Sequence, residues 1–166
     1  PNDVQNISGE FTMIEKKEVP SKLYLTTKKN LTLPELKPFV QDVLPKLCSE
    51  IELLGVKIAG PLEFMYFGID GNPETKFDLI IAFPINRRET ETKLFEYYES
   101  EPFQCAYLDY KGSMKDIGEA WGSFVKTVAE SGLHPAGQCR EVYKNWVDDE
   151  SNENVTELQL GISRNS

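Results

Sequence analysis

The run Cys139-Arg140-Glu141-Val142-Tyr143 holds the side chains with the clearest chemical potential. At strand spacing Cys139, Glu141 and Tyr143 share one face, and Arg140, Val142 and Lys144 share the other. In an aromatic-lined recess an ionised carboxylate is costly unless something offsets its charge. A ligand cation would do so through a charge-assisted contact worth roughly 1.5–3 kcal/mol. Each aromatic face would add about 0.5–2 kcal/mol. The candidate faces are Tyr66, Tyr110, Trp121, Tyr143 and Trp146, and Glu157 is a second acid, in the pocket or on an edge strand. Tyr107 shares a strand with Tyr110, but odd spacing turns the two to opposite faces. Glu141 could equally serve as a general base on water. No separate nucleophile accompanies it, since Cys139 would need an activating base. The residues leave plainer roles open. Glu141 could pair with a nearby Arg or Lys or face solvent, as most carboxylates do. Trp121 fits a packed core, Trp146 an exposed aromatic, and Tyr66 and Tyr143 a pair of structural counterparts.

Two helices must position these side chains. From Thr32, apolar residues Leu36, Phe39, Val40, Val43, Leu44, Leu47, Ile51 and Leu54 recur at helical spacing, and Thr32 with Glu35 has the spacing of a capping box. Pro34 suits a first turn, whereas Pro38 and Pro45 predict a start nearer Lys37 and a kink at Pro45. Gly55 ends the segment. The second helix is capped near Ser113 and Asp116, carries the stripe Ile117, Ala120, Trp121, Phe124 and Val128, and closes at Gly132.

The segments after the two helices match each other. "GVKIAGPLEFMY" from Gly55 lies over "GLHPAGQCREVY" from Gly132 without a gap, and the same offset carries "KFDLIIAFPI" onto "ENVTELQLGI". Before each helix lies an expected hairpin, "FTMIEKKEVPSKLYLTTKK" and "LFEYYESEPFQCAYLDYKG", with Pro20 and Pro102 at equivalent turns. "DGNPET" and "DDESNEN" read as turns between the final strands, and "NRRETETK" as the link between halves. The chain is thus expected to be one domain over 1–166, built of repeats 11–86 and 93–163. Its class is α+β: two pseudo-symmetric ββαββ units forming an antiparallel sheet, both main helices on one face, with a central groove as the pocket. Phe64 stands where the second half has Glu141, and Ile80 where it has Glu157, which confines the expected acid chemistry to the second repeat.

Composition narrows the function. The 166 residues carry a net charge of −9, with 40% hydrophobic and 27% charged residues, as in a water-soluble globular chain. The acidic balance argues against direct nucleic-acid contact. No apolar run reaches the roughly 20 residues of a membrane span. Cys48, Cys105 and Cys139 are an odd, widely spaced set, which fits a reducing, cytoplasmic compartment rather than a disulfide framework. The triplets Asn6-Ile7-Ser8, Asn30-Leu31-Thr32 and Asn154-Val155-Thr156 match the glycosylation pattern by chance. The first residue is Pro1 and no signal peptide is read there, which suggests trimming or a longer parent chain. Zinc-finger spacing, phosphate-binding glycine loops and a calcium-loop ligand ladder are absent from the sequence. No cofactor is expected.

"YKGSMKDIGEAW", "AGQCREVYKNW" and "VTELQLGI", in that order and with that duplication, resemble the GyrI-like, AraC-type effector-binding family over residues 11–163. The resemblance implies a dyad whose central groove binds small molecules, often aromatic and cationic. It implies that the Glu of the Arg-Glu-x-Tyr strand, here Glu141, is the ligand's anion. It also implies bacterial multidrug binding and a role in transcription regulation. Some freestanding members hydrolyse strained electrophilic compounds with that same Glu. The sequence shows no helix-turn-helix segment; if the chain serves a regulator, its DNA-binding domain or partner chain is outside this sequence or absent. Haem-binding proteins share a similar dyad, and here His134 is the one histidine that could serve as an axial ligand.

Overall fold

A computed structural model describes residues 3–5 and 11–163, with side chains from Ile14 onward; Pro1 and the Asn6–Ser8 triplet lie outside the described residues. In chain order the elements are β1 (Asp3–Gln5), β2 (Phe11–Met13), β3 (Glu15–Val19), β4 (Leu23–Leu31), α1 (Leu33–Leu54), β5 (Glu63–Phe67), β6 (Phe77–Pro84), β7 (Glu96–Glu99), β8 (Phe103–Lys111), α2 (Ile117–Glu130), β9 (Pro135–Asn145) and β10 (Val155–Ile162). The class is α+β, with antiparallel pairing throughout the described ladders and two helices. The chain forms two compact units, Pro20–Glu101 and Pro1–Val19 joined with Pro102–Ser166.

In the unit Pro20–Glu101, α1 begins directly after Thr32. The Thr32 N–H donates to the Glu35 carboxylate at 2.9 Å, and that bond leads the contacts holding the Glu35 carboxyl below its usual range. The expected start near Lys37 is therefore corrected: Pro38 and Pro45 both lie inside the helix. Each forfeits one backbone bond, but the cap at Thr32 and the buried stripe Val43, Leu47 and Ile51 hold the segment helical. Gly55 closes it with φ 69°, a left-handed turn that favours glycine. The sheet order here is β5-β6-β4-β7.

In the other unit the order is β9-β10-β8-β3. Leu158 of β10 faces Leu108 on one side and Glu141 on the other. The α2 stripe lands on this sheet as expected. Phe124 and Val128 are buried with Ala106, Leu158, Leu160 and Ile162, and Ile117, Ala120 and Trp121 pack around them. The buried Asn154 donates to the Asp148 carbonyl at 2.7 Å and accepts from the Val147 N–H at 2.8 Å, so its triplet shapes the connector before β10.

The two units share one strand order, which supports the duplication as a proposal. The expected hairpins, however, do not form. β3 pairs with β8, Val19 opposite Phe103, and β7 pairs with β4, Leu23 opposite Glu99. Each edge strand thus joins the half that follows or precedes its own, and "NRRETETK" lies inside Pro20–Glu101 instead of joining two halves. A residue before proline is held extended, so Val19 and Glu101 carry the chain onward rather than back. The connectors then bond to each other: Ser100 N–H donates to the Lys22 carbonyl at 2.9 Å, and Lys22 N–H to Ser100 Oγ at 3.0 Å.

Candidate functional site

Three side chains meet on the helix-covered face of the unit that contains α2. β9 places Glu141 and Tyr143 on one side of the strand, and α2 lowers Trp121 onto them. Trp121 Nε1–H donates to Glu141 Oε2 at 2.7 Å, and the Tyr143 hydroxyl donates to Glu141 Oε1 at 2.5 Å. Glu141 is only 5% exposed, whereas Trp146, edge-on to Tyr143 with centroids 6.1 Å apart, is 48% exposed. The aromatics therefore grade outward from a buried carboxylate to an exposed indole. Neither donor carries a charge. Together they aim the carboxylate by holding both its oxygens.

Cys139 stands on the same face as expected. Burial first, and the Glu141 charge second, push its thiol up to about 12. It is protonated at neutral pH and unsuited to act as a nucleophile. All three cysteines are free, and Cys105 is likewise pushed up to about 11, chiefly by burial. His134 is exposed just before β9.

The remaining candidates make other contacts. Tyr110 shares the helix-covered face and donates its hydroxyl to the Ser113 carbonyl at 2.7 Å. Its phenol is raised by burial, then by Asp116 and Glu119. Tyr66 belongs to Pro20–Glu101, where it is buried against Phe77 at 5.8 Å and Phe64 at 6.4 Å. Glu157 alternates with Leu158 and so faces away from Glu141. It lies 2.7 Å from Lys17 and 3.7 Å from Lys144, and accepts from Gln159 at 2.6 Å. Burial alone would raise its carboxyl, but the Gln159 bond and then Lys17 and Lys144 hold it below its usual value.

A further acid gave no clear signal at strand or helix spacing. Glu63 on β5 is 1% exposed. The Tyr24 hydroxyl lies 3.1 Å from both its oxygens, and Lys22 Nζ lies 3.5 Å from Oε2. Buried acid is therefore not confined to the second repeat. The gap-free comparison set Phe64 against Glu141 and passed over the neighbouring residue. The available signal was a carboxylate inside the apolar run "PLEFMYF".

Among the described residues no group of three or more His, Cys, Asp or Glu side chains could hold a metal ion, and no helix is long and apolar enough to cross a membrane. The GyrI-like small molecule binding domain model matches residues 12–163. No curated protein matches. Among solved structures, the EcmrR C-terminal domain superposes with a TM-score of 0.77 at 15% identity, covering 91% of this chain and 97% of that one. SAV2435 bound to tetraphenylphosphonium gives 0.70 at 10% identity, covering 92% and 95%. A hydrolase from Listeria innocua gives 0.58 at 12% identity, covering 90% and 91%. In the EcmrR–DNA complex the likeness covers 57% of the EcmrR chain. A match spanning nearly every described residue, over a sheet and helix that bury the Glu141 cluster, assigns this chain to the GyrI-like small-molecule binding domain family.

Proposed function

We propose that this domain binds hydrophobic, aromatic cations at Glu141, with Trp121, Tyr143 and Trp146 as the aromatic surfaces, either alone or as the sensing part of a bacterial cytoplasmic transcription regulator. The observation that carries this reading is the buried Glu141 carboxylate clasped by two neutral donors, Trp121 and Tyr143. The two donors aim the carboxylate oxygens among rings, an arrangement in which a delocalised cation would gain from both the acid and the ring faces. The SAV2435 structure, with its bound tetraphenylphosphonium, offers a probe of that chemistry.

The test is equilibrium binding of tetraphenylphosphonium followed by tryptophan fluorescence, repeated on Glu141→Gln. The substitution should weaken binding by about 10–100-fold, the equivalent of a charge-assisted contact. Unchanged affinity would remove Glu141 from the site.

A second reading is hydrolysis of a strained electrophile. Glu141 would take a proton from water as the water oxygen bonds to the electrophilic carbon, the strained carbon–heteroatom bond would break, and the proton held on Glu141 would pass to the released heteroatom; the Tyr143 hydroxyl at 2.5 Å would steady the carboxylate. Turnover that disappears in Glu141→Gln while binding of neutral analogues persists would favour catalysis over simple binding.

A further inference from the structure

Thr156 of β10 is 1% exposed, and its hydroxyl has no hydrogen-bond partner among the described residues. It lies opposite Tyr110 on β8 and Tyr143 on β9. Two residues further along β10, Leu158 lies opposite Glu141 and packs under α2. Strand alternation therefore turns Thr156 to the same side as Glu141. The two are diagonal neighbours across β9 and β10, within reach of a common ligand.

The flanking tyrosine hydroxyls are engaged elsewhere, Tyr110 with the Ser113 carbonyl at 2.7 Å and Tyr143 with Glu141 at 2.5 Å. Valine has the same shape as threonine and would fill this position without burying a polar atom. A buried hydroxyl that the fold does not use calls for another partner.

We propose that Thr156 is a specificity-determining contact, which hydrogen-bonds a polar group carried by the ligand whose positive charge Glu141 holds. The inference rests on the reading of Glu141 as the cation's partner, and it narrows the ligand class to aromatic cations that also bear a donor or acceptor. Thr156 selects among cations, and Glu141 holds them all.

The experiment compares two probes on the full chain: tetraphenylphosphonium, which has no hydrogen-bonding group, and ethidium, whose amines donate. Thr156→Val should bind tetraphenylphosphonium within about twofold of wild type but ethidium about tenfold more weakly, the loss of one hydrogen bond at 1.4 kcal/mol per tenfold. The melting temperature of unliganded Thr156→Val should equal or exceed that of wild type. Thr156→Ala should reproduce the altered ratio, and Thr156→Ser, which keeps the hydroxyl, should restore it. An unchanged ratio in both Val and Ala variants, with Glu141→Gln weakening both probes, would overturn the role of Thr156 alone. Wild type that binds neither probe, or Glu141→Gln that binds both undiminished, would bring down the cation reading and this inference with it.

Discussion

Each unit buries a glutamate that accepts from a tyrosine hydroxyl, and the two are held differently. Glu63 accepts from Tyr24 and has the Lys22 ammonium 3.5 Å away. Glu141 accepts from Trp121 and Tyr143, both neutral. The first arrangement brings a positive charge from the chain itself to the acid. In the second, the two ring donors orient the acid without supplying a charge. Burial by itself does not tell the two apart: the residues are 1% and 5% exposed. The donors differ in kind: a phenol and an ammonium at Glu63, an indole and a phenol at Glu141.

The strongest way to break this comparison is to unseat each helix in turn. Leu158 and Leu47 are both fully buried. Leu158→Ala and Leu47→Ala should each lower stability by about 3–4 kcal/mol, from lost burial plus the cavity left behind. Urea unfolding measures this, and a loss under about 1 kcal/mol at either position would mean that its helix is not anchored there.

Next come the carboxylates. Glu63→Ala should cost about 2–4 kcal/mol, because it strands the Tyr24 hydroxyl and removes the acid facing Lys22. Glu141→Gln should cost about 1 kcal/mol or less, since the amide oxygen still accepts from Trp121 or Tyr143. Paired urea midpoints decide the matter. A larger loss for Glu141→Gln would reverse the roles assigned to the two sites.

Trp121→Phe removes the Nε1 donor while keeping most of the ring contact with Phe124, whose centroid lies 6.2 Å away. It should lower stability by about 1 kcal/mol and abolish any tryptophan emission change that ligand binding produces through that ring. An emission response that survives in this variant would move the reporting ring to Trp146.

The smallest effect concerns pH. The Glu157 carboxyl is held below its usual value in the folded protein, after Gln159, Lys17 and Lys144 outweigh burial. Its stabilisation is therefore complete above the unfolded value, about 4.3, and is lost as pH falls through the lower folded value. Lys17 is 36% exposed, so solvent screening keeps the effect under about 1 kcal/mol. Glu157→Gln should flatten the difference in urea midpoint between pH 7 and pH 3. An unaltered pH profile would show that the pair does not contribute.

Much of the site is legible in the sequence. Glu141 and Tyr143 share a face because a strand alternates strictly. Trp121 lies on the α2 stripe because a helix repeats every 3.6 residues. The ββαββ grammar also locates the α1 cap and the turns before β6 and β10. It misplaces the helix start because prolines at 38 and 45 argue against helix one residue at a time, whereas the cap and the buried stripe act on the whole segment. Thr156 passes as part of a chance triplet, since nothing nearby in sequence tells a satisfied hydroxyl from an idle one.

Local periodicity, then, determined which elements form and which side chains share a face, because both depend on torsions and spacings within a few residues. Tertiary structure decided the rest. It exchanged the edge strands β3 and β7, enclosed Glu63, and turned Glu157 toward Lys17 rather than toward Glu141. It also brought Trp121 from the helix onto Glu141. Those outcomes depend on which distant strand wins each ladder and which surface loses its water, and neither is encoded within a single turn or strand.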